Sequence, residues 1–196
     1  ETRGKALLTH FDSGVTIYSH NQLYGVWHVV KRGEFPKTNR QLRLAIHTDQ
    51  HSALLFSASD ISVWKTADIE EHPFLKRIGP DILNPDLTWR VVADRLQRSA
   101  FARRALKSVY LDQAFLAGLG NYLRSEILFC ARVHPLRRLG EVSASARHAL
   151  GQQTLILTRQ SYNTQGVTND LDSYRALRRT GRTFGQSRHW VFDREG

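Results

Sequence analysis

Hydrophobic and polar positions change their period part-way along the chain. Apolar residues first come in strand-length runs at 5–11, 14–20, 23–30, 40–48 and 52–59. β-Branched and aromatic residues are frequent in them, and polar, Gly- or Pro-containing links such as Asp12-Ser13-Gly14 separate them. Such regularly spaced short strands predict an antiparallel sandwich or barrel. Residues 78–88, with two prolines and a glycine, read as an interdomain linker. Beyond it the period is helical. Leu87, Val91, Val92 and Leu96 mark one helix, with Asp86 or Thr88 as its N-cap. Residues 111–135 read as two short helical pieces split by Gly118-Leu119-Gly120-Asn121 and closed by Pro135. A further helix covers 143–162, with Ser143 or Ser145 near its start. Residues 163–188 are polar and Arg-rich with little periodicity, which predicts a flexible or loop-rich segment. A strand-like pattern resumes at 189–196, and no internal repeat is visible.

One place breaks the pattern. Asn21, Gln22, Leu23 and Tyr24 stand where one strand ends and the next begins. Loop tips ordinarily carry Gly, Asn, Asp, Ser or Pro. A Leu-Tyr pair there is either tucked under a neighbour or aimed at something absent from the free protein.

Charge adds a partner class. The formal net charge is +10 over 196 residues. Residues 1–85 hold 10 Lys/Arg against 9 Asp/Glu, a net of +1, whereas residues 86–196 hold 18 against 9, a net of +9. Arg strongly outnumbers Lys in that second half, and guanidinium forks match phosphate oxygens. Nucleic acid is favoured over a merely solvated basic surface. No apolar run reaches membrane-spanning length and no signal-peptide pattern opens the chain. Cys130 is the only cysteine, which excludes an internal disulfide framework and a Cys-based zinc site within these residues and suggests a reducing, cytoplasmic location. The nine histidines show no metal-ligand spacing.

The junction at Gly118-Leu119-Gly120-Asn121 is the strongest local feature. Two glycines permit a sharp turn, and Asn121 opens a helix whose free N–H groups suit a phosphate. A plain capped helix junction is the structural alternative, and Arg124, Arg132, Arg137 and Arg138 nearby favour DNA. The surrounding stretch, LDQAFLAGLGNYLRSEIL, resembles the helix-two-turn-helix signature of the formamidopyrimidine-DNA glycosylase/endonuclease VIII family. ETRGKALLTHF resembles that family's strand with its Arg-Gly-Lys, and YSHNQLYGVW its Ser-His hairpin. HPFLKRIGPDIL is similar to its interdomain linker, and VFDREG to the approach to its C-terminal zinc finger. The blocks occur in family order along nearly the whole chain. Gln22-Leu23-Tyr24 resembles the endonuclease VIII branch.

The resemblance implies an α+β protein of two domains: an incomplete antiparallel β-sandwich followed by a helix-two-turn-helix domain. The expected boundaries are 1–77 for the sandwich, 78–87 for the linker, 88–188 for the helical domain and 189–196 for the start of a truncated zinc finger. It further implies base-excision repair of oxidised pyrimidines, with glycosylase and abasic-site lyase steps ending in β,δ-elimination. The partner would be double-stranded DNA carrying oxidised bases or abasic sites, bound by a monomer in the bacterial cytoplasm, at the nucleoid. Leu23 and Tyr24 would fill the void left by a flipped base, with Gln22 bonding the widowed base. Lys5 and Asn121 would bind phosphates. Arg124 is a DNA contact or, with Glu126, one half of a buried structural ion pair. The family's nucleophile, an N-terminal proline amine, and its adjacent glutamate have no counterpart in Glu1-Thr2-Arg3, so no catalytic residue is expected among these residues. The four-Cys zinc finger is likewise expected only in a complete protein, which makes the chain an internal fragment. Two other readings remain open: a non-catalytic damaged-DNA-binding protein, and a glycosylase for oxidised purines.

Overall fold

The computed structural model describes residues 1–194. The chain divides into two compact units, Glu1–Lys76 and a second that begins at Arg77. The first is all β: β1 (Thr2–Arg3), β2 (Ala6–His10), β3 (Val15–His20), β4 (Val26–Lys31), β5 (Leu42–His47), β6 (His51–Phe56) and β7 (Asp60–Lys65). They form two antiparallel sheets, in the orders β1-β2-β3-β7 and β4-β6-β5. The sheets stay separate, so the architecture is the sandwich and not the barrel. Alternation follows the pleat. Ala6 and Leu8 are buried on β2 while Leu7 and Thr9, on the opposite face, are only half-buried. β7 was not among the expected strands, although Ile61, Val63 and Trp64 give it strand character. It pairs with β3, Tyr18 facing Ser62 and His20 facing Asp60. Fully buried Tyr18 stacks on His72, with ring centroids 3.9 Å apart.

The second unit contains α1 (Trp89–Arg95), α2 (Leu106–Val109), α3 (Asn121–Cys130), α4 (Ala144–Asn163), α5 (Leu171–Arg179) and α6 (Phe184–Ser187). Its core gathers Val92, Leu106, Phe115, Ile127, Leu139 and Leu150, among others. Each such side chain stabilises by about 1.5–3 kcal/mol when fully buried. Thr88 caps α1 by accepting from the Val91 N–H, and Ser143 caps α4 by accepting from Ala146. Gly151 lets α4 approach α1, because a Cβ there would stand 2.6 Å from the Trp89 carbonyl oxygen. The residues expected as a linker are packed into this unit, with Ile82 and Leu87 in its core and the Ala117 N–H bonded to Pro80. Among the described residues no helix is long and apolar enough to cross a membrane.

Three local expectations are corrected. The first helical piece, 111–117, is a series of turns. The Asp112 side chain accepts from the Ala114 N–H at 2.9 Å, an Asx turn that diverts the backbone from a helix. The segment 163–188 is not loop-rich, since it carries α5 and α6. Asp170 starts α5 by accepting from Ser173, and Thr183 and Gln186 form a reciprocal capping box on α6. Caps of this kind specify helices that too few apolar positions mark. Residues 189–194 turn and bend instead of forming a strand. The N–H groups of Trp190, Val191 and Phe192 all point at the Glu126 carboxylate, at 2.7–2.9 Å. A strand sends successive N–H groups to opposite sides, so it cannot converge three on one anion. Residues 195–196 of the stretch expected to open a zinc finger lie outside the described residues.

Candidate nucleic-acid interface

In the β unit, Lys5 and the 21–24 loop share one end of a sheet. Gly4 and Lys5 form the two-residue turn between β1 and β2, where Arg3 pairs with Ala6. Gly4 takes φ +60°, the opening residue of a type II′ hairpin. Ala6 in turn faces His20, the last residue before the loop. Lys5 is exposed, yet the protein packed beside it desolvates the ammonium and lowers its pKa below that of an ordinary lysine. Burial likewise lowers the pKa of His20, with Asp60 opposing that shift and Lys5 adding to it.

The loop itself is braced. The Gly25 N–H donates to the Asn21 carbonyl at 2.7 Å, closing a five-residue turn. A Cβ on Gly25 would stand 2.5 Å from that oxygen, so only glycine fits. Gln22 adopts φ +52°; its N–H donates to His20 Nδ1 at 3.0 Å and its Oε1 accepts from Ser59 Oγ at 2.8 Å. The Arg40 guanidinium holds the Tyr24 carbonyl. Leu23 and Tyr24 are left 80% and 66% exposed, so neither is tucked under a neighbour. An apolar pair held out into water on a fixed backbone is ready to enter an apolar space.

In the helical unit, Asn121 is the first residue of α3 and Gly120 its N-cap. Asn121 is exposed, and its amide makes no hydrogen bond to the described residues. The turn before it is built rigidly. Gln113 accepts from the Gly118 N–H at 2.9 Å and donates to the Leu119 carbonyl at 3.0 Å. Gly118 takes φ +104°. Arg95, largely buried, donates to the carbonyls of Ala114 and Phe115, both at 2.6 Å. Sequence reasoning counted Arg95 among surface charges. Its place at the end of an amphipathic helix, three residues after buried Val92, was the available signal.

Arg124 is half-buried one turn after Asn121 and forms no ion pair with Glu126. Of the two alternatives for Arg124, the buried pair does not form: Glu126 is fully buried and accepts from Thr168 Oγ1 at 2.7 Å as well as from the three backbone N–H groups. Those donors satisfy the carboxylate without a cation. Among the described residues no group of three or more His, Cys, Asp or Glu is placed to hold a metal ion.

Comparison with known proteins places these features. Residues 78–171 match the formamidopyrimidine-DNA glycosylase H2TH domain. Endonuclease 8 of Escherichia coli O17:K52:H18 is 49% identical over 177 residues, which cover 90% of this chain and 67% of that protein. Endonuclease 8 of Enterobacter sp. strain 638 is 47% identical over 196 residues, all of this chain and 71% of that one. The chain belongs to the formamidopyrimidine-DNA glycosylase/endonuclease VIII family. The fold agrees: the Lactococcus lactis formamidopyrimidine-DNA glycosylase, solved bound to DNA containing an abasic site, superposes with a TM-score of 0.72 at 19% identity. That match covers 85% of this chain and 63% of the solved one. The chain thus spans about two thirds of the length of its endonuclease 8 relatives and less of the solved glycosylase. Within the family, the signature block at 111–128 is where the turns, the junction and α3 are found.

Proposed function

We propose that these 196 residues recognise damaged DNA for base-excision repair by a glycosylase/abasic-site lyase of the endonuclease VIII type, one that excises oxidised pyrimidines and nicks the strand by β,δ-elimination. In this reading Leu23 and Tyr24 occupy the gap that an extruded nucleotide leaves in the stack. Gln22, whose Oε1 is engaged by Ser59, offers its amide N–H groups to the widowed base. Lys5 and Asn121 bind phosphates, and Arg124 adds a cation beside the junction. The observation that carries the reading is the exposed Leu23-Tyr24 pair on a braced turn beside Lys5. Names carried by the relatives support it: endonuclease 8, and a glycosylase bound to abasic-site DNA.

The chemistry needs an amine positioned to attack the sugar C1′, since an iminium there is the electron sink for elimination. The Glu1 nitrogen is engaged otherwise, donating to the Leu8 carbonyl at 3.0 Å, and its carboxylate pairs with Arg3. We assign the 196 residues taken alone the binding step, with no glycosylase activity and at most trace lyase activity.

Two measurements test the reading. Affinity for duplex DNA containing a tetrahydrofuran abasic analogue should exceed that for intact duplex and fall steeply between about 50 and 200 mM salt, as counterions return to the phosphates. Equal affinity for both duplexes, or indifference to salt, rejects recognition. Borohydride should trap little covalent complex with abasic DNA. Efficient trapping by these residues alone would overturn the assignment of catalysis elsewhere, and Lys5, whose lowered pKa supplies more free amine than usual, would be the first group to replace.

A further inference from the structure

The C-terminal half of α3 borders a concavity of about 630 Å³, of which the DNA-binding reading uses only Arg124. Its floor is apolar, with Leu128, Phe129 and Val133, and Phe129 is 51% exposed. Lys107, Arg124 and Arg132 stand at its walls, and among the described residues no Asp or Glu lines it. None of these three side chains has an ion pair or side-chain hydrogen bond with the described residues. Arg132 is unusual in a second way. After α3 ends, the Val133 N–H donates to the Leu128 carbonyl at 3.0 Å and the Arg132 N–H to Phe129 at 2.9 Å. That pair of bonds is a Schellman cap, whose left-handed position normally belongs to glycine. Here Arg132 occupies it at φ +55°, a conformation costly for a residue with a Cβ.

We propose that this groove docks an acidic peptide segment of a partner protein, one that inserts a large apolar side chain between Leu128, Phe129 and Val133 while its carboxylates meet Lys107, Arg124 and Arg132. Charge complementarity selects that occupant. Three cations without an ion pair among the described residues, around an apolar floor, suit carboxylates flanking a hydrophobic anchor, and the volume is that of an ordinary ligand pocket. A phosphate backbone alone would leave the floor unfilled.

The test uses the 196-residue chain and fluorescein-labelled nonapeptides read by anisotropy. One peptide alternates aspartate with phenylalanine, a second is all aspartate, and a third alternates serine with phenylalanine. The first should bind saturably, and both controls about tenfold or more weaker. Arg132→Gly and Phe129→Ala should each weaken it about tenfold. Arg132→Gly should leave the melting temperature unchanged or higher, because glycine relaxes the cap, so its binding loss cannot be attributed to unfolding. Absence of saturable binding, equal affinity for the all-aspartate peptide, or wild-type affinity in both variants overturns the proposal. A duplex whose own affinity falls equally in Phe129→Ala would assign the groove to DNA instead. A dimer in sedimentation that Phe129→Ala dissolves would assign it to a second copy of the chain.

Discussion

The 21–25 loop and the 118–121 junction present side chains to the outside in opposite ways. The loop puts Leu23 and Tyr24 into water and spends its polar groups on itself: backbone to backbone across Asn21 and Gly25, side chain to side chain between Gln22 and Ser59. The junction offers a polar group, Asn121, and hides everything beneath it, with Leu119 and Leu123 in the core and Arg95 and Gln113 bonded to the turn's carbonyls. An exposed apolar pair gains nothing from its own burial, so its position must come from backbone bracing. An exposed amide at a helix start inherits its position from the core below. The loop should therefore tolerate loss of its tip with little change in stability, whereas the junction depends on groups remote from Asn121.

The sharpest way to break the helical side of this comparison is Glu126→Ala. It leaves three backbone N–H groups without their acceptor, a loss of about 3 kcal/mol or more. Melting of the second unit should drop by roughly 6–12 °C. A melt unchanged within a degree would mean that residues 190–192 are held by something else. Next in size, Leu23→Ala or Tyr24→Ala should cost about 2 kcal/mol in binding abasic-analogue DNA, much less on intact duplex, and almost nothing in stability. Equal losses on both DNAs would reduce the loop to a general contact.

Lys5→Ala and Asn121→Ala should each weaken abasic-analogue binding by about 1.5 kcal/mol, the scale of one lost charge-assisted or phosphate hydrogen bond. Circular dichroism should be unchanged, and loss of fold alongside binding would return both residues to structural roles. The smallest effects concern pH. Burial lowers the pKa of His20, His72 and His189, so the unfolded chain binds more protons than the folded one as acid is added. Their stabilisation is present above the unfolded value of about 6.5 and lost as pH falls below it, so melting should decline from pH 7 to pH 5. His72→Gln should flatten that decline; an identical slope would show that its ring does not titrate against Tyr18. Lys5 has the same sign in a more alkaline window. Its charged form is disfavoured in the fold, so Lys5→Met should melt no lower than the parent at pH 7, with any gain vanishing towards pH 10.

Charge arithmetic overstated what is available to DNA. Of the basic residues in the second half, Arg95, Arg147 and Arg159 donate to backbone carbonyls, and Arg104 pairs with Asp112. Composition counts such groups as surface cations, because a carbonyl partner leaves no mark in sequence. The helices at 171–187 were missed for a related reason. Periodicity finds helices by the face they bury, and α5 has no buried residue, while its start is written in Asp170 and Ser173. The turns at 111–117 were misread because apolar spacing there reports burial, and Asp112 decides the backbone.

By itself the sequence determined an antiparallel β unit, the helices at 89–95, 121–130 and 144–163, the out-of-place Leu23-Tyr24 pair and the glycine-rich junction. These are local facts: side-chain alternation, caps and turn chemistry act over a few residues. Only the tertiary structure decided that Leu23 and Tyr24 stand in solvent, that Glu126 gathers residues 190–192 instead of pairing with Arg124, and that Arg132 holds a glycine's place beside an apolar groove. Each depends on which distant groups come within bonding distance, and the burial or partnering of a charge is set by its surroundings, whatever its position along the chain.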